Sequence, residues 1–333
     1  MNGAISTLPD PREPFDEATA RQAFADLLDL RVSDEAIARF LTGLSERGET
    51  SVEITAAAHE LRARMIPVHA PAGAIDVCGT GGDGQNSLNI STTVAIVVAA
   101  CGVPVAKHGN RSASSMAGAA DTLETLGLDL DRATVTAEET LNALGICFLF
   151  AANHHPALRR IQPIRKAIGR RTIFNLMGPL ANPAQVKRQL IGIARPDYVP
   201  IYGEALRLLG TQAALVVSGE DGLDELSIAG PSLLCGIGNV QPLGNRVTPE
   251  DAGLPRAPAS ALRGGDAAHN AAALKRLLAG EQGAYRDAVL LNAAGALLVA
   301  RHASSWTEGV EMAAQVIDRG LAAALLDKWI NYR

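Results

Sequence analysis

Four glycines crowd the stretch Asp76-Val77-Cys78-Gly79-Thr80-Gly81-Gly82-Asp83-Gly84, directly after a short apolar run. Such a loop exposes backbone N–H groups and suits an anion, above all a phosphate. The spacing satisfies G-x-G-x-x-G, yet a dinucleotide fingerprint opens straight into a helix and meets an acid about 20 residues later. Here the loop continues through Gln85-Asn86-Ser87-Leu88-Asn89-Ile90 before a helix can start at Ser91-Thr92. The place for the acid holds Val105, Ala106 and Lys107. The dinucleotide reading is therefore set aside.

No acid occurs from Gly84 to Ala120, where the chain average would place about four. The window holds donors instead: Lys107, His108, Arg111, Asn86, Asn89, Asn110 and the hydroxyls of Ser87, Ser91, Thr92, Thr93, Ser112, Ser114 and Ser115. Ser91-Thr92 and Ser114-Ser115 each precede an apolar helical run, so two positive helix ends are expected beside strand ends. Each piece alone would be an ordinary turn or cap. Together with the glycine loop they predict a site for one ligand carrying separated phosphates.

Glu220, Asp221, Asp224 and Glu225 follow a predicted strand. Alone they would read as an acidic solvent turn; beside a phosphate site they suit Mg²⁺, which takes carboxylate oxygens together with water and substrate phosphates. In Asn153-His154-His155-Pro156 the adjacent histidines lack the i, i+4 spacing of a metal pair, which argues against zinc. Further along, Arg165 is placed to clamp a substrate carboxylate in two-point geometry if its segment folds back over the phosphate loops.

Positioning these groups requires two kinds of structure. The first seventy residues carry helical periodicity: Ile37, Phe40, Leu41 and Leu44 form one stripe, and Ile54, Ala57, Ala58, Leu61 and Met65 another. Ser33 with Asp34 and Glu35 starts one helix, Gly48 stops it, and Thr50 with Glu53 makes a capping box for the next. After Pro67–Gly73 short apolar runs alternate with helical ones, which predicts a mainly parallel sheet. The strand signal lapses from Pro156 to Asn182, a stretch that fits the helical unit, and returns at Leu190–Ala194 and Leu215–Ser218. The C-terminal part reads as helices.

With 333 residues, 47% hydrophobic and 20% charged, the chain has room for two or three domains and is globular. A net charge of −5 and a pI near 5.8 leave no basic field for nucleic acid or an anionic membrane, so any anion must be held locally. The longest apolar run, Val94 to Ala106, is broken by Gly102 and Pro104 and is too short to span a membrane. Cys78, Cys101, Cys147 and Cys235 are scattered without metal-ligand spacing and read as buried reduced thiols. With no secretory pattern at the start, a cytoplasmic location is expected.

At GTGGDG, NIST, KHGNRSASS, RTIFNLMGPLANPA and DGLDELS the chain resembles the anthranilate phosphoribosyltransferases, from about Leu30 to the last helices. KHGNR and DE separate it from fold relatives, the pyrimidine nucleoside phosphorylases, whose loop motifs differ. The alternative functions are phosphorylase-type glycosyl transfer or a non-catalytic phosphate-binding relative. The resemblance implies a small helical domain, residues 1–72 with inserted helices near 156–183, and a larger α/β domain, residues 73–155 and 184–333. The class is α/β with a mainly parallel sheet, phosphorylase-like, and the active site lies in the interdomain cleft.

It further implies transfer of phosphoribosyl from phosphoribosyl pyrophosphate to the amine of anthranilate, a step of tryptophan biosynthesis, with Mg²⁺ as cofactor. Gly79, Gly82, Asp83, Ser87, Asn89, Ile90, Ser91, Thr92, Lys107, His108, Gly109, Asn110, Arg111, Ser112, Ala113, Ser114, Ser115 and Ala119 would bind the donor. Gly79, Asn110 and Arg165 would contact anthranilate, and Ser91, Asp224 and Glu225 would hold Mg²⁺. Lys107, His108, Asn110 and Arg165 are the implied catalytic set, with His108 open between late proton acceptor and scaffold. A homodimer joined through the helical domain is implied as well. Ala152, Leu158 and Ala119 depart from the residues usual in the family, the first two along the presumed route of the aromatic substrate.

Overall fold

A computed structural model describes residues 7–112, 116–240 and 244–333. Three helices open the chain: α1 (Glu17–Leu28), α2 (Asp34–Arg47) and α3 (Ser51–Arg62). Their ends follow the expected chemistry. The Ser33 hydroxyl accepts from the Ala36 N–H, and Asp34 and Glu35 sit in the positive first turn. Gly48, at φ +94°, closes α2 in a backbone conformation that a side chain would strain. Thr50 and Glu53 form the reciprocal capping box of α3. The stripe Ile37, Phe40, Leu41 and Leu44 is fully buried. Met65 is also buried, although α3 ends three residues before it.

The α/β unit then runs β1 (Ile75–Gly79), α4 (Ile90–Ala100), β2 (Val105–Gly109), α5 (Ala119–Leu126), α6 (Leu130–Val135), α7 (Ala137–Leu144) and β3 (Ile146–Phe150). Next come α8 (Ala151–His154), α9 (Pro156–Ile168), β4 (Arg188–Gly192), α10 (Val199–Leu208), β5 (Ala213–Gly219), β6 (Ser232–Gly238) and β7 (Arg246–Val247). The chain finishes with α11 (Ala267–Leu278), α12 (Ala284–Ala300), α13 (Trp306–Asp318) and α14 (Leu321–Ile330). The seven strands lie in the order β3-β2-β1-β4-β5-β6-β7. β1 to β5 are parallel, while β6 and β7 are antiparallel additions that the apolar pattern did not predict. Strand order reverses between β1 and β4, and a crevice outside the carboxyl ends of strands at such a switch point is where open α/β sheets bind ligands.

Alternation along the strands divides the core. Leu215 and Val217 join Ile75, Val77 and Val105 under α4 and α11 to α14. Ala214, Val216 and Ile191 turn the other way, into a core shared with α1, α2, α3, α9 and α10. The helical unit is thus fused to one face of the sheet through common packing, and α9 contributes Ile161 and Ile164 to that same core.

Three local expectations are corrected. α4 begins at Ile90 after Asn89, so Ser91 and Thr92 lie inside its first turn rather than ahead of it. α5 begins only at Ala119, after Gly118, whose N–H donates to Asp121, and not at the serines. Ser114 and Ser115, with Ala113, lie outside the described residues. All four cysteines are free, but only Cys147 is fully buried.

Candidate active site

β1 ends at Gly79, whose register partner on β4 is Gly192. Both glycines are required by the same neighbour. A Cβ on Gly79 would lie 2.2 Å from Asp224 Oδ2, and one on Gly192 would lie 1.6 Å from the Asp224 carbonyl oxygen. The segment after β5 therefore crosses directly over the switch point, which sets the two acids Asp224 and Glu225 at its mouth. Gly192 was not singled out from the sequence, because a glycine ending an apolar run looks like any strand terminus.

The glycine loop adopts left-handed backbone at Gly81, Gly82 and Gly84, with φ +70°, +74° and +73°. It is pinned to the acids: the Gly81 N–H donates to Asp224 Oδ2 at 2.7 Å, and Gln85 Nε2 donates to the Asp221 carbonyl at 2.9 Å. Behind it, Lys107 is only 2% exposed. Its ammonium donates to the Val77 carbonyl at 2.8 Å and to Ser91 Oγ at 3.3 Å. Ser91 in turn lies close enough to Glu225 to favour its charged form. The structure thus joins Lys107, Ser91, Asp224 and Glu225 in one cluster, with Asp83 beside it.

The electrostatics of this cluster are unbalanced. Burial, then the neighbouring Glu225 and Asp83, push the Asp224 carboxyl well above the ordinary range. Burial also pushes Glu225 up to about 7, against the pull of Lys107. Crowded, desolvated carboxylates facing one lysine are a site short of positive charge. The donors are all oxygen, as a hard cation requires, and a buried oxygen of Asp83 has no hydrogen-bond partner. Among the described residues no three His, Cys, Asp or Glu side chains form a cage of their own. The residues therefore fit a Mg²⁺ ion completed by substrate oxygens and water, rather than a protein-enclosed one.

β2 sends adjacent residues to opposite faces. Lys107 points toward α4, while His108 points toward the helical unit, where its Nδ1 lies 2.8 Å from the Gly178 carbonyl. A carbonyl only accepts, so Nδ1 carries the proton and Nε2 keeps its lone pair; that nitrogen has no partner among the described residues. Burial, then the nearby His155 ring 5.2 Å away, lowers His108 to about 3. The His108 N–H is received by Asp76, a fully buried acid raised by burial to about 6 and bonded by Asn182 Nδ2 at 2.8 Å. Asp76 and Asn182 were not predicted as site supports; both look like solvent-turn residues until the sheet closes over them.

The remaining predicted residues divide by partner. Asn89 is locked into the scaffold, its side-chain oxygen accepting from Thr122 at 2.6 Å and Asn270 at 2.9 Å. Ile90 and Thr92 are buried, and Ser87 is paired through its backbone with Arg263. Gly109 and Ala119 pack together at the end of β2, and Asn110 is exposed, its side chain accepting from the Arg111 N–H. Arg111 is not a free donor: it pairs with Asp121 and Glu124, each at 2.8 Å. The Ser112 N–H also goes to Asp121.

Arg165, on α9, lies over the Phe174 ring at 5.6 Å and has no acidic partner among the described residues. Burial lowers its pKa. Phe174 and Gly178 lie on one coil, so Arg165 and His108 flank the same segment from two sides. Arg171, the first residue of the RTIFNLMGPLANPA motif but given no role from the sequence, reaches the glycine loop itself, with Nη2 2.9 Å from the Gly81 carbonyl.

Comparisons with known proteins point to one family. Residues 72–323 match the glycosyl transferase family a/b domain, and residues 4–65 match the glycosyl transferase family helical bundle domain. The chain is 67% identical to the anthranilate phosphoribosyltransferase of Novosphingobium aromaticivorans, over 98% of this chain and 99% of that protein. The crystal structure of anthranilate phosphoribosyltransferase from Thermus thermophilus superposes with a TM-score of 0.89 at 41% identity, covering 97% of this chain and 98% of that one. The Saccharomyces cerevisiae enzyme in complex with phosphoribosyl pyrophosphate and Mg superposes with a TM-score of 0.85 at 27% identity, covering 95% and 93%.

Proposed function

The chain belongs to the anthranilate phosphoribosyltransferase family and carries that activity in tryptophan biosynthesis; on this premise we propose which of its residues run the reaction. The amine of anthranilate forms a bond to the anomeric carbon of ribose as the bond to pyrophosphate breaks. Positive charge grows on the sugar ring and negative charge on the leaving group, so fixed donors aimed at the pyrophosphate contribute most. The backbone N–H groups of Gly82 and Asp83, with Ser87, Asn89, Ile90, Thr92, Lys107 and the segment from Gly109 to Ser115 and Ala119, bind the donor. Ser91, Asp224 and Glu225 hold Mg²⁺, which supplies neutralising charge at the pyrophosphate.

An aromatic amine is neutral at pH 7 with its lone pair available, so no strong base is required. His108 fits an orienting role better than a basic one. Its bare Nε2 accepts an N–H from the amine, while its low basicity makes it a poor resting place for the proton. Arg165 takes the carboxylate of anthranilate, and Gly79 and Asn110 border the ring, so the amine is held in line with the anomeric carbon.

The observation that carries this reading is the cluster of Asp224, Glu225, Ser91 and Lys107 beneath the glycine loop at the switch between β1 and β4. Anthranilate fluorescence tests it directly. Signal loss should require anthranilate, phosphoribosyl pyrophosphate and Mg²⁺ together, and loss without added metal in chelated buffer would remove Mg²⁺ from the scheme. The reading includes a homodimer, to be checked by sedimentation against the 34.7 kDa protomer. It also includes a cytoplasmic location, with which four free cysteines agree. No helix among the described residues is long and apolar enough to cross a membrane.

A further inference from the structure

Arg171 follows α9 in the coil of the helical unit, and its own backbone is fixed there. The Ser45 hydroxyl on α2 donates to the Arg171 carbonyl at 3.0 Å, and the neighbouring Arg170 pairs with Glu46 at 2.8 Å. From this anchored base the guanidinium crosses to the α/β unit. Nη2 donates to the Gly81 carbonyl at 2.9 Å and Nη1 to the Gly82 carbonyl at 3.3 Å. No carboxylate among the described residues pairs with it, so its charge is directed at two peptide groups. The fit is close: a Cβ on Gly82 would lie 3.1 Å from the Arg171 guanidinium carbon.

Those two carbonyls belong to the peptide units whose N–H groups are carried by Gly82 and Asp83. A cation donating to a peptide oxygen polarises the whole unit and strengthens its N–H as a donor, and charge-assisted bonds are the strong ones. The left-handed glycines would otherwise leave these peptides free to rotate. Gly81 is held from the opposite side by Asp224, so the loop is stretched between a cation of the helical unit and a carboxylate of the α/β unit.

We propose that Arg171 is a positioning residue for the pyrophosphate end of the donor, one that aims and polarises the Gly82 and Asp83 amides from behind and makes the cradle depend on the docked helical unit. The inference rests on the reading that the glycine loop takes the pyrophosphate, and its test separates the two.

The full-length enzyme is titrated calorimetrically with pyrophosphate in the presence of Mg²⁺, and steady-state constants are measured for both substrates. Arg171→Ala should weaken pyrophosphate binding about tenfold and raise the KM for phosphoribosyl pyrophosphate in step, leaving the KM for anthranilate within about twofold. Arg171→Lys should recover part of the loss, and Arg171→Gln, which keeps a donor without the charge, should recover less. If Arg171→Ala is poorly folded, the Lys and Gln pair carries the comparison. Gly82→Ala, strained at φ +74°, is the control for the cradle. If Gly82→Ala abolishes pyrophosphate binding while the Arg171 variants bind like the wild type, the inference is overturned and the cradle stands. If Gly82→Ala also binds normally, the cradle reading itself fails. Equal rises in both KM values, with a fall in melting temperature, would reduce Arg171 to a structural tie.

Discussion

The α/β side of the cleft and the helical side use charge in opposite ways. On the α/β side acids are crowded together: half-buried Asp224 and buried Glu225 repel each other and face a single buried lysine. On the helical side Arg165 and Arg171 carry no acid partner among the described residues, and burial holds His108, which β2 directs toward that side, and the adjacent His155 ring below the ordinary histidine range. One side lacks positive charge, and on the proposed reading a metal with its pyrophosphate would complete it; the other has cations in reserve, which on that reading meet a carboxylate and peptide oxygens. This division suits a reaction in which the leaving group needs charge neutralised while the nucleophile needs only to be held.

The largest effect should come from unbalancing the first side. Glu225→Gln keeps the shape but removes one of the two carboxylates proposed to hold the metal. We expect kcat/KM to fall about 10²–10³-fold, the scale of losing one electrostatic stabiliser, and the Mg²⁺ concentration for half-maximal rate to rise. Activity measured across a Mg²⁺ series checks both. A variant with unaltered metal dependence would mean that the acid crowding serves the fold alone.

Arg165→Ala probes the second side and should act on one substrate only. Losing a charge-assisted hydrogen bond costs about 1.5–3 kcal/mol, so the KM for anthranilate should rise roughly 10–100-fold while that for phosphoribosyl pyrophosphate stays within about twofold. Parallel rises in both constants would erase the contrast between the two sides.

The α/β side was also the more legible from sequence. Its groups ride on short loops at strand ends, where local signals suffice: glycines after an apolar run, an acid-free window, two acids after the next strand. What stayed hidden depends on contacts between distant segments. Gly192 matters because Asp224 crosses over it, Asp76 because Asn182 and the His108 amide meet it, and Arg171 because the coil after α9 returns to the glycine loop. The helical stripes and caps of α2 and α3 were readable because both are local patterns. α5 starts at Ala119 with Asp121 accepting the Gly118 and Ser112 N–H groups, a cap that lies inside the helix rather than ahead of it and so left no local signal before the apolar run. The antiparallel β6 and β7 escaped because β6 alternates in burial but mixes serine and glycine into its apolar residues, which hides the period in the sequence, and β7 is only two residues long.

The smallest effect is in stability, where the buried acids and the buried histidines should respond to acid with opposite signs. Asp76 and Glu225 have folded pKa values raised by burial to about 6 and about 7. Their contribution to stability is fully present below the unfolded values near 4 and is lost as pH rises through 6 and 7. His108 and His155 are lowered by burial to about 3 and about 4, so their contribution is fully present above the unfolded value near 6.5 and is lost as pH falls toward 4 and 3. Between pH 6.5 and 4.5 the acids therefore gain while the histidines lose, and the melting temperature of the wild type reports only their sum. His155→Gln removes one histidine contribution, on the order of 1 kcal/mol per pH unit. Its melting temperature should decline less than that of the wild type from pH 6.5 to 4.5, by a few degrees, whatever the offset between the two proteins at neutral pH. Parallel melting curves across that range would show that His155 takes up its proton in the folded protein as readily as in water, and the neutral character of the helical side would be lost with it.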